Sequence, residues 1–411
     1  MSLSHTQPTP GALACALALL AVSHGCQTFD APTPEAPPPV QVHSDEIAPG
    51  DTRQPSAGGP TGPARIVSSK YGRAARYSAD HGGVAMLVVE GDDIVLAVGP
   101  IDEPHPIHNA TESFWGVVAV AADVDGLLDL DEPVSLTLDE FAGARWKQDI
   151  RVRQLLWYTS GLEAGVWPLT REKPRDHFAR ALALDAVAPA GARFQFGPSH
   201  LAVFGELLRR KLEPDGLDAV AYLTQRILDP IGLTVSDWRR DAAGNPDLAA
   251  GASLTAVEWA KFGRLLRDVG RWRGEAIVDP AAMQTCFVGS DVQPSFGLTV
   301  WVNPTRPRTT ESATLGESPL PDFLMAAGSG NQRMYAIPSL DLVVVRLGRA
   351  HRGWRDREFL GLLISDSRTS RDSPREAAPV AKDANSLELD LHLSHLRSTP
   401  TGVRSKLASP E

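Results

Sequence analysis

Two β-rich runs, Gly83-Val-Ala-Met-Leu-Val-Val-Glu90 and Ile94-Val-Leu-Ala-Val98, flank the turn residues Gly91-Asp-Asp93, a pattern that predicts a hairpin. Beyond it the periodicity changes. Phe114-Trp-Gly-Val-Val-Ala-Val-Ala-Ala122 is apolar almost all round, which predicts a central helix to about Leu127, buried on most sides and ended by Asp125-Gly126. Helical patterns follow near 151–158, 174–186, 199–211, 218–228 and 255–269, separated by Gly and Pro. Strand patterns return at Phe296-Gly-Leu-Thr-Val-Trp-Val302, Arg333-Met-Tyr-Ala-Ile337 and Leu342-Val-Val-Val-Arg-Leu347, and a helix over Trp354 to Ile364 closes the set. Strands at both ends with helices between them predict an α/β (α+β) domain. One central antiparallel sheet is assembled from the termini of the domain, flanked by helices and a mostly helical insertion.

The two ends of the chain have a different texture. Gly11 to Val22 is an apolar run too short to span a bilayer and placed like the core of a secretory signal, although no Lys or Arg precedes it. Pro, Gly, Ser and Thr then dominate to about residue 65, and polar, mixed-charge sequence returns after Ser367. The expected organisation is a signal peptide at 1–25, a Pro-rich tether at 26–65, one folded domain at 66–366 and a disordered tail at 367–411. With 43% apolar residues in 411, the chain can bury a sizeable core.

Cysteine usage gives no disulfide framework, because the three residues are Cys15, Cys26 and Cys286. Cys26 stands where a bacterial lipoprotein carries its lipid, and ordinary cleavage after Ser23 or Gly25 is the alternative. Cys286 reads as a lone buried thiol. The formal net charge of −10 argues against a nucleic-acid partner, since phosphate binding rests on Lys and Arg. The histidines are scattered and no phosphate loop or dinucleotide fingerprint is present, so neither a metal nor another cofactor is expected.

Five ordered blocks carry a resemblance: Ala110-Thr-Glu-Ser-Phe-Trp-Gly116, Asp125-Gly-Leu-Leu-Asp-Leu-Asp-Glu-Pro-Val134, Leu155-Leu-Trp-Tyr-Thr-Ser-Gly-Leu162, Phe194-Gln-Phe-Gly-Pro198 and Ala326-Ala-Gly-Ser-Gly-Asn-Gln332. Over about residues 80–365 the chain resembles the serine β-lactamase-like hydrolases, a family that includes penicillin-binding proteins, class C β-lactamases, esterases and D-aminopeptidases. The resemblance implies a β-lactamase/transpeptidase-like fold and a site built on Ser-x-x-Lys with a Tyr from the helical insertion. Here the serine position is Asn109, the lysine position is Glu112 and the tyrosine position is Phe196. An amide is no nucleophile, and a carboxylate at 112 has nothing to activate. Reading three residues back from every lysine finds no serine, so no shifted register restores the motif.

The remaining positions are read partly from their own side-chain chemistry, Ser113 and Ser199, and partly from the resemblance, Ser160 and Ala326 to Gln332. Ser113 is expected to bond its own backbone, Ser160 to shape the pocket wall, and Ser199 to cap a helix. Ala326-Ala-Gly328 stands where a cation-bearing strand motif is usual, and Gly328 to Gly330 and Gln332 are expected to offer N–H groups to the pocket. Losing the nucleophile of a serine hydrolase costs about 10⁶ in turnover. The sequence therefore reads as an exported pseudoenzyme, periplasmic or anchored to the outer membrane, that binds or scaffolds, with peptidoglycan or a small peptide or ester as ligand. Two alternatives stay open: a hydrolase using Glu112 as general base for water, and a purely structural module of the envelope.

Overall fold

Residue alternation along the strands decides how the central sheet is covered on its two faces. A computed structural model describes residues 70–303 and 322–372 of the protein. The expected signal peptide with Cys15, the whole tether with Cys26, and the tail beyond 372 lie outside the described residues. Strands β1 (Gly83–Glu90) and β2 (Asp93–Val98) form the expected hairpin. The other strands of this sheet are β3 (Trp301–Val302), β4 (Leu324–Gly328), β5 (Gln332–Ile337) and β6 (Leu342–Gly348). Their order is β2-β1-β6-β5-β4-β3, antiparallel throughout, with Glu90 opposite Leu342 where the two ends of the domain meet.

Met86, Val88, Tyr335 and Val344 point to one face, where they pack with Tyr71, Phe359 and Leu363 beneath helices α1 (Gly72–Asp80) and α5 (Asp356–Asp372). Their neighbours Leu87, Val89, Met334, Val343 and Val345 join the larger core on the other face. There lie helices α2 (Ser113–Val124), α3 (Ser199–Leu212) and α4 (Ala256–Arg267). Every residue of α2 from Ser113 to Ala122 is buried, as its all-round apolar pattern requires. The sequence pattern did not announce α1, because only Ala74 and Ser78 of its nine residues are buried.

Three other expectations need correction. Phe296 to Val302 is not one strand. Only Trp301 and Val302 pair in the sheet, and the chain ahead of them folds back through Thr299 at φ 58°, with Gly297 N–H donating to Val300 at 2.8 Å. The closing helix does not stop at Ile364 and continues to Asp372, past the expected domain boundary at 366. Ser199 is not a cap: it is the first residue of α3, and its hydroxyl donates to the Glu163 carbonyl at 2.6 Å.

Two close approaches fix the site. A Cβ on Gly116 would meet the Leu298 carbonyl at 2.1 Å, and Gly116 N–H donates to Thr299 Oγ1 at 2.9 Å, so α2 lies directly on the folded-back segment. A Cβ on Gly328 would meet the Ile107 carbonyl at 2.1 Å, so β4 rests on the turn that leads into α2.

Candidate functional site

Asn109 and Glu112 stand on a 3₁₀ turn, His108–Glu112, which runs directly into α2. Residues three apart eclipse one another in such a turn. The consequence is direct: Asn109 Nδ2 donates to Glu112 Oε1 at 3.3 Å, and Ser329 Oγ, from the turn after β4, donates to Asn109 Oδ1 at 3.0 Å. Burial pushes the Glu112 carboxyl well above the usual carboxylate range, and the charge of Asp247 adds to it. The contacts with Asn109 and Tyr158 oppose the shift without reversing it. Glu112 is thus held toward the neutral acid, one of the outcomes its lost lysine partner implies.

Sequence reasoning missed Tyr158. Its fully buried hydroxyl faces the Glu112 carboxyl without closing a regular hydrogen bond, and burial with the nearby carboxylate pushes that hydroxyl well above its ordinary range. Tyr158 reaches this place from a turn at φ 56°, a left-handed conformation rare for an aromatic residue. The signal available in the sequence was a tyrosine immediately ahead of Thr159-Ser160-Gly161 in a chain that lacks one at 196.

Phe196, at the vacated tyrosine position, places its ring edge-on to Tyr158 with centroids 5.3 Å apart. His200 stacks on the opposite relation, parallel to Tyr158 at 4.8 Å. Since a carbonyl can only accept, His200 Nε2 donates to Gln195 O at 2.7 Å, and Nδ1 accepts from Ser160 Oγ at 2.8 Å. The Ser160 oxygen accepts in turn from Leu162 N–H at 3.2 Å. A serine hydroxyl on a histidine invites a catalytic reading, but both residues are 0% exposed. The pair braces the turn behind Tyr158. Ser160→Ala leaves the imidazole nitrogen without its donor and is expected to cost about 1–3 kcal/mol in urea unfolding. A loss under a few tenths would show that the pair contributes nothing.

Aromatic rings occupy the space beside the vacated serine position. The Phe296 centroid lies 5.2 Å from Tyr158, 5.3 Å from Phe194 and 4.9 Å from Trp301. The recess bounded by Asn109, Glu112, Phe296, Thr299, Trp301 and Ala326 is closed down by these side chains until essentially no enclosed space for a water molecule remains.

Of the other expected pocket residues, Ser113 and Ala326 do border the recess, and Ser113 bonds its own backbone as expected, donating to the Ala110 carbonyl at 2.8 Å. Ser160 does not border it. Neither does Gln332, whose amide is consumed by β6, donating to Gly348 O at 2.6 Å and accepting from Gly348 N–H at 2.8 Å. Gly328 is pressed against the Ile107 carbonyl rather than turned to a ligand. Cys286 is buried, and burial pushes its thiol up, away from the reactive thiolate. Among the described residues no group of three or more His, Cys, Asp or Glu side chains is placed to hold a metal ion.

Comparison with known proteins matches this geometry to one fold. EstCE1, described as a hydrolase with promiscuous acyltransferase activity, superposes with a TM-score of 0.57 at 18% identity, covering 73% of this chain and 98% of its own. A penicillin-binding protein homologue from Caulobacter crescentus gives 0.55 at 16% identity, covering 74% and 98%. The chain is also 29% identical over 217 residues to monacolin J acid methylbutanoyltransferase from Aspergillus terreus, a match covering 47% of this chain. The chain spans about half the length of the curated relatives it matches, 50%. The sequence profile of the family named Beta-lactamase matches residues 71–360, most of the chain, including every strand of the central sheet and the first turn of α5. The protein belongs to the Beta-lactamase family.

Proposed function

We propose that this chain is a catalytically inert member of its family, exported from the cytoplasm, with a binding or scaffolding role in the cell envelope. The observation that carries the proposal is the filled recess at Asn109 and Glu112, where neither a nucleophile nor room for an acyl group remains. Hydrolysis and acyl transfer, the activities named for EstCE1 and the Aspergillus transferase, need a nucleophile that position 109 does not supply. The alternative in which Glu112 activates water has two obstacles: the carboxyl is held toward its neutral form, and no water fits beside it. A peptidoglycan peptide or small ester would bind on the outer surface rather than in the recess.

Intact-mass analysis after incubation with a fluorophosphonate and with a labelled penicillin tests the proposal. The expected result is no stoichiometric adduct with either reagent. A single adduct at any serine would overturn it. Export rests on the Gly11 to Val22 run, and fractionation of cells making the full chain, with mass analysis of its mature N-terminus, separates lipidation at Cys26 from ordinary cleavage.

A further inference from the structure

A second recess lies away from the vacated catalytic positions, against the short helix Ala219–Leu223, the π turn that continues it to Leu228, and the segment that leads to Trp238. It holds about 240 Å³ of space open to solvent molecules, whereas the recess at Asn109 holds none. Its walls mix the apolar Val220, Leu228, Leu233, Val235 and Trp238 with Thr224 and Thr234, and its two acids are Asp229 and Asp237. Both carboxylates are exposed, and neither has a hydrogen bond or ion pair among the described residues. The nearby cation Lys261 is already committed, donating to Glu258 at 2.7 Å and to the Gly232 carbonyl at 2.5 Å. Trp238 is fixed in place by its own donation to the Asp247 carbonyl at 3.1 Å.

A solvent-open recess that combines apolar side chains and an indole with two carboxylates lacking any hydrogen bond or ion pair among the described residues is complementary to one chemistry, a small organic ammonium with an apolar body. The ring supplies area and attraction for a cation, and the carboxylates supply charge. We propose that this recess binds primary or quaternary organic amines of about the size of phenylethylamine. The proposal does not depend on whether the position of the lost serine is inert. The two sites share one neighbour: the Trp238 ring, which walls this recess, lies 5.7 Å from Trp115 and 6.0 Å from Phe114 on α2, the helix that begins beside Glu112.

Titration calorimetry of the full chain with 2-phenylethylammonium tests the site, with 2-phenylethanol as the uncharged control. The expected result is saturable one-to-one binding that weakens with added salt and drops about tenfold in the double variant Asp229→Asn/Asp237→Asn, as two exposed ion pairs imply. Phenylethanol is expected to bind at least as weakly to the wild type as the amine binds to that variant. Both substitutions are at exposed positions, so the variant's thermal unfolding should match the wild type and separate a binding loss from a folding loss. Absence of saturation, equal binding of alcohol and amine, or an unchanged affinity in the double variant each overturns the proposal.

Discussion

A triple variant with Asn109→Ser, Glu112→Lys and Phe196→Tyr is expected to fold and still to hydrolyse a nitrophenyl ester less than about tenfold faster than buffer. If the missing groups were the sole loss, restoring them as a unit should recover activity, since nucleophile and base act together and their removal costs about 10⁶. The recess does not allow it. A serine at 109 would face the Phe296 and Trp301 rings with no water-sized space between them, so an acyl carbon could not come within the roughly 3–3.5 Å that attack requires. The Tyr158 hydroxyl, already aimed at position 112, would meet the new ammonium instead of a substrate. Adding Trp301→Ala to the triple variant opens the wall from a half-buried position and is expected to raise turnover at least tenfold over the triple. A nitrophenol burst from the triple variant alone, with an acyl group on residue 109, would falsify the filled-recess account and return the cause to side-chain chemistry.

Features set by local pattern were legible in the sequence, and features set by what meets what across the fold were not. The β1–β2 hairpin and the buried α2 follow from runs whose neighbours in sequence are also their neighbours in space. Asn109, Glu112 and Phe196 were placed by ordered motif blocks, and the 3₁₀ spacing then brought the first two into contact. Gln332 was misplaced because its amide is claimed by Gly348 on the next strand, a matter of register that no single segment reveals. Phe296 to Val302 looked like a strand because β-branched and aromatic residues fill it, yet Gly116 admits it only as a turn against α2. Tyr158 was missed for the same reason: its approach to Glu112 depends on a left-handed turn that aromatic residues seldom adopt.

His200→Phe is expected to remove about 3 kcal/mol of acid destabilisation between pH 6.5 and 4, read as the difference between its stability curve and that of the wild type, in which Glu112 offsets part of the fall with the opposite sign. Burial lowers the His200 imidazole from 6.5 to about 4, against a weaker opposing effect of the Gln195 carbonyl. The unfolded chain therefore binds a proton in this window that the folded chain refuses, so stability rises with pH and is lost as pH falls through the folded value. The gap between 6.5 and about 4 corresponds to about 3 kcal/mol. His105 and His108 are lowered in the same direction by burial, which is why the variant and not the wild-type curve alone identifies the group. Phenylalanine keeps a flat ring against Tyr158 and removes the titration. Glu112 works with the opposite sign. Its folded value lies above its unfolded one, so its contribution is present below about 4.5 and is lost as pH rises toward the folded value. Glu112→Gln, which keeps an oxygen for the Asn109 amide, is accordingly expected to stabilise the protein at pH 8 and to change little at pH 4. Urea unfolding of wild type and both variants across pH 4 to 8 measures the two slopes. An acid limb in His200→Phe as steep as in wild type, or equal effects of Glu112→Gln at both ends, would mean that these buried groups are solvated in a way their packing does not allow.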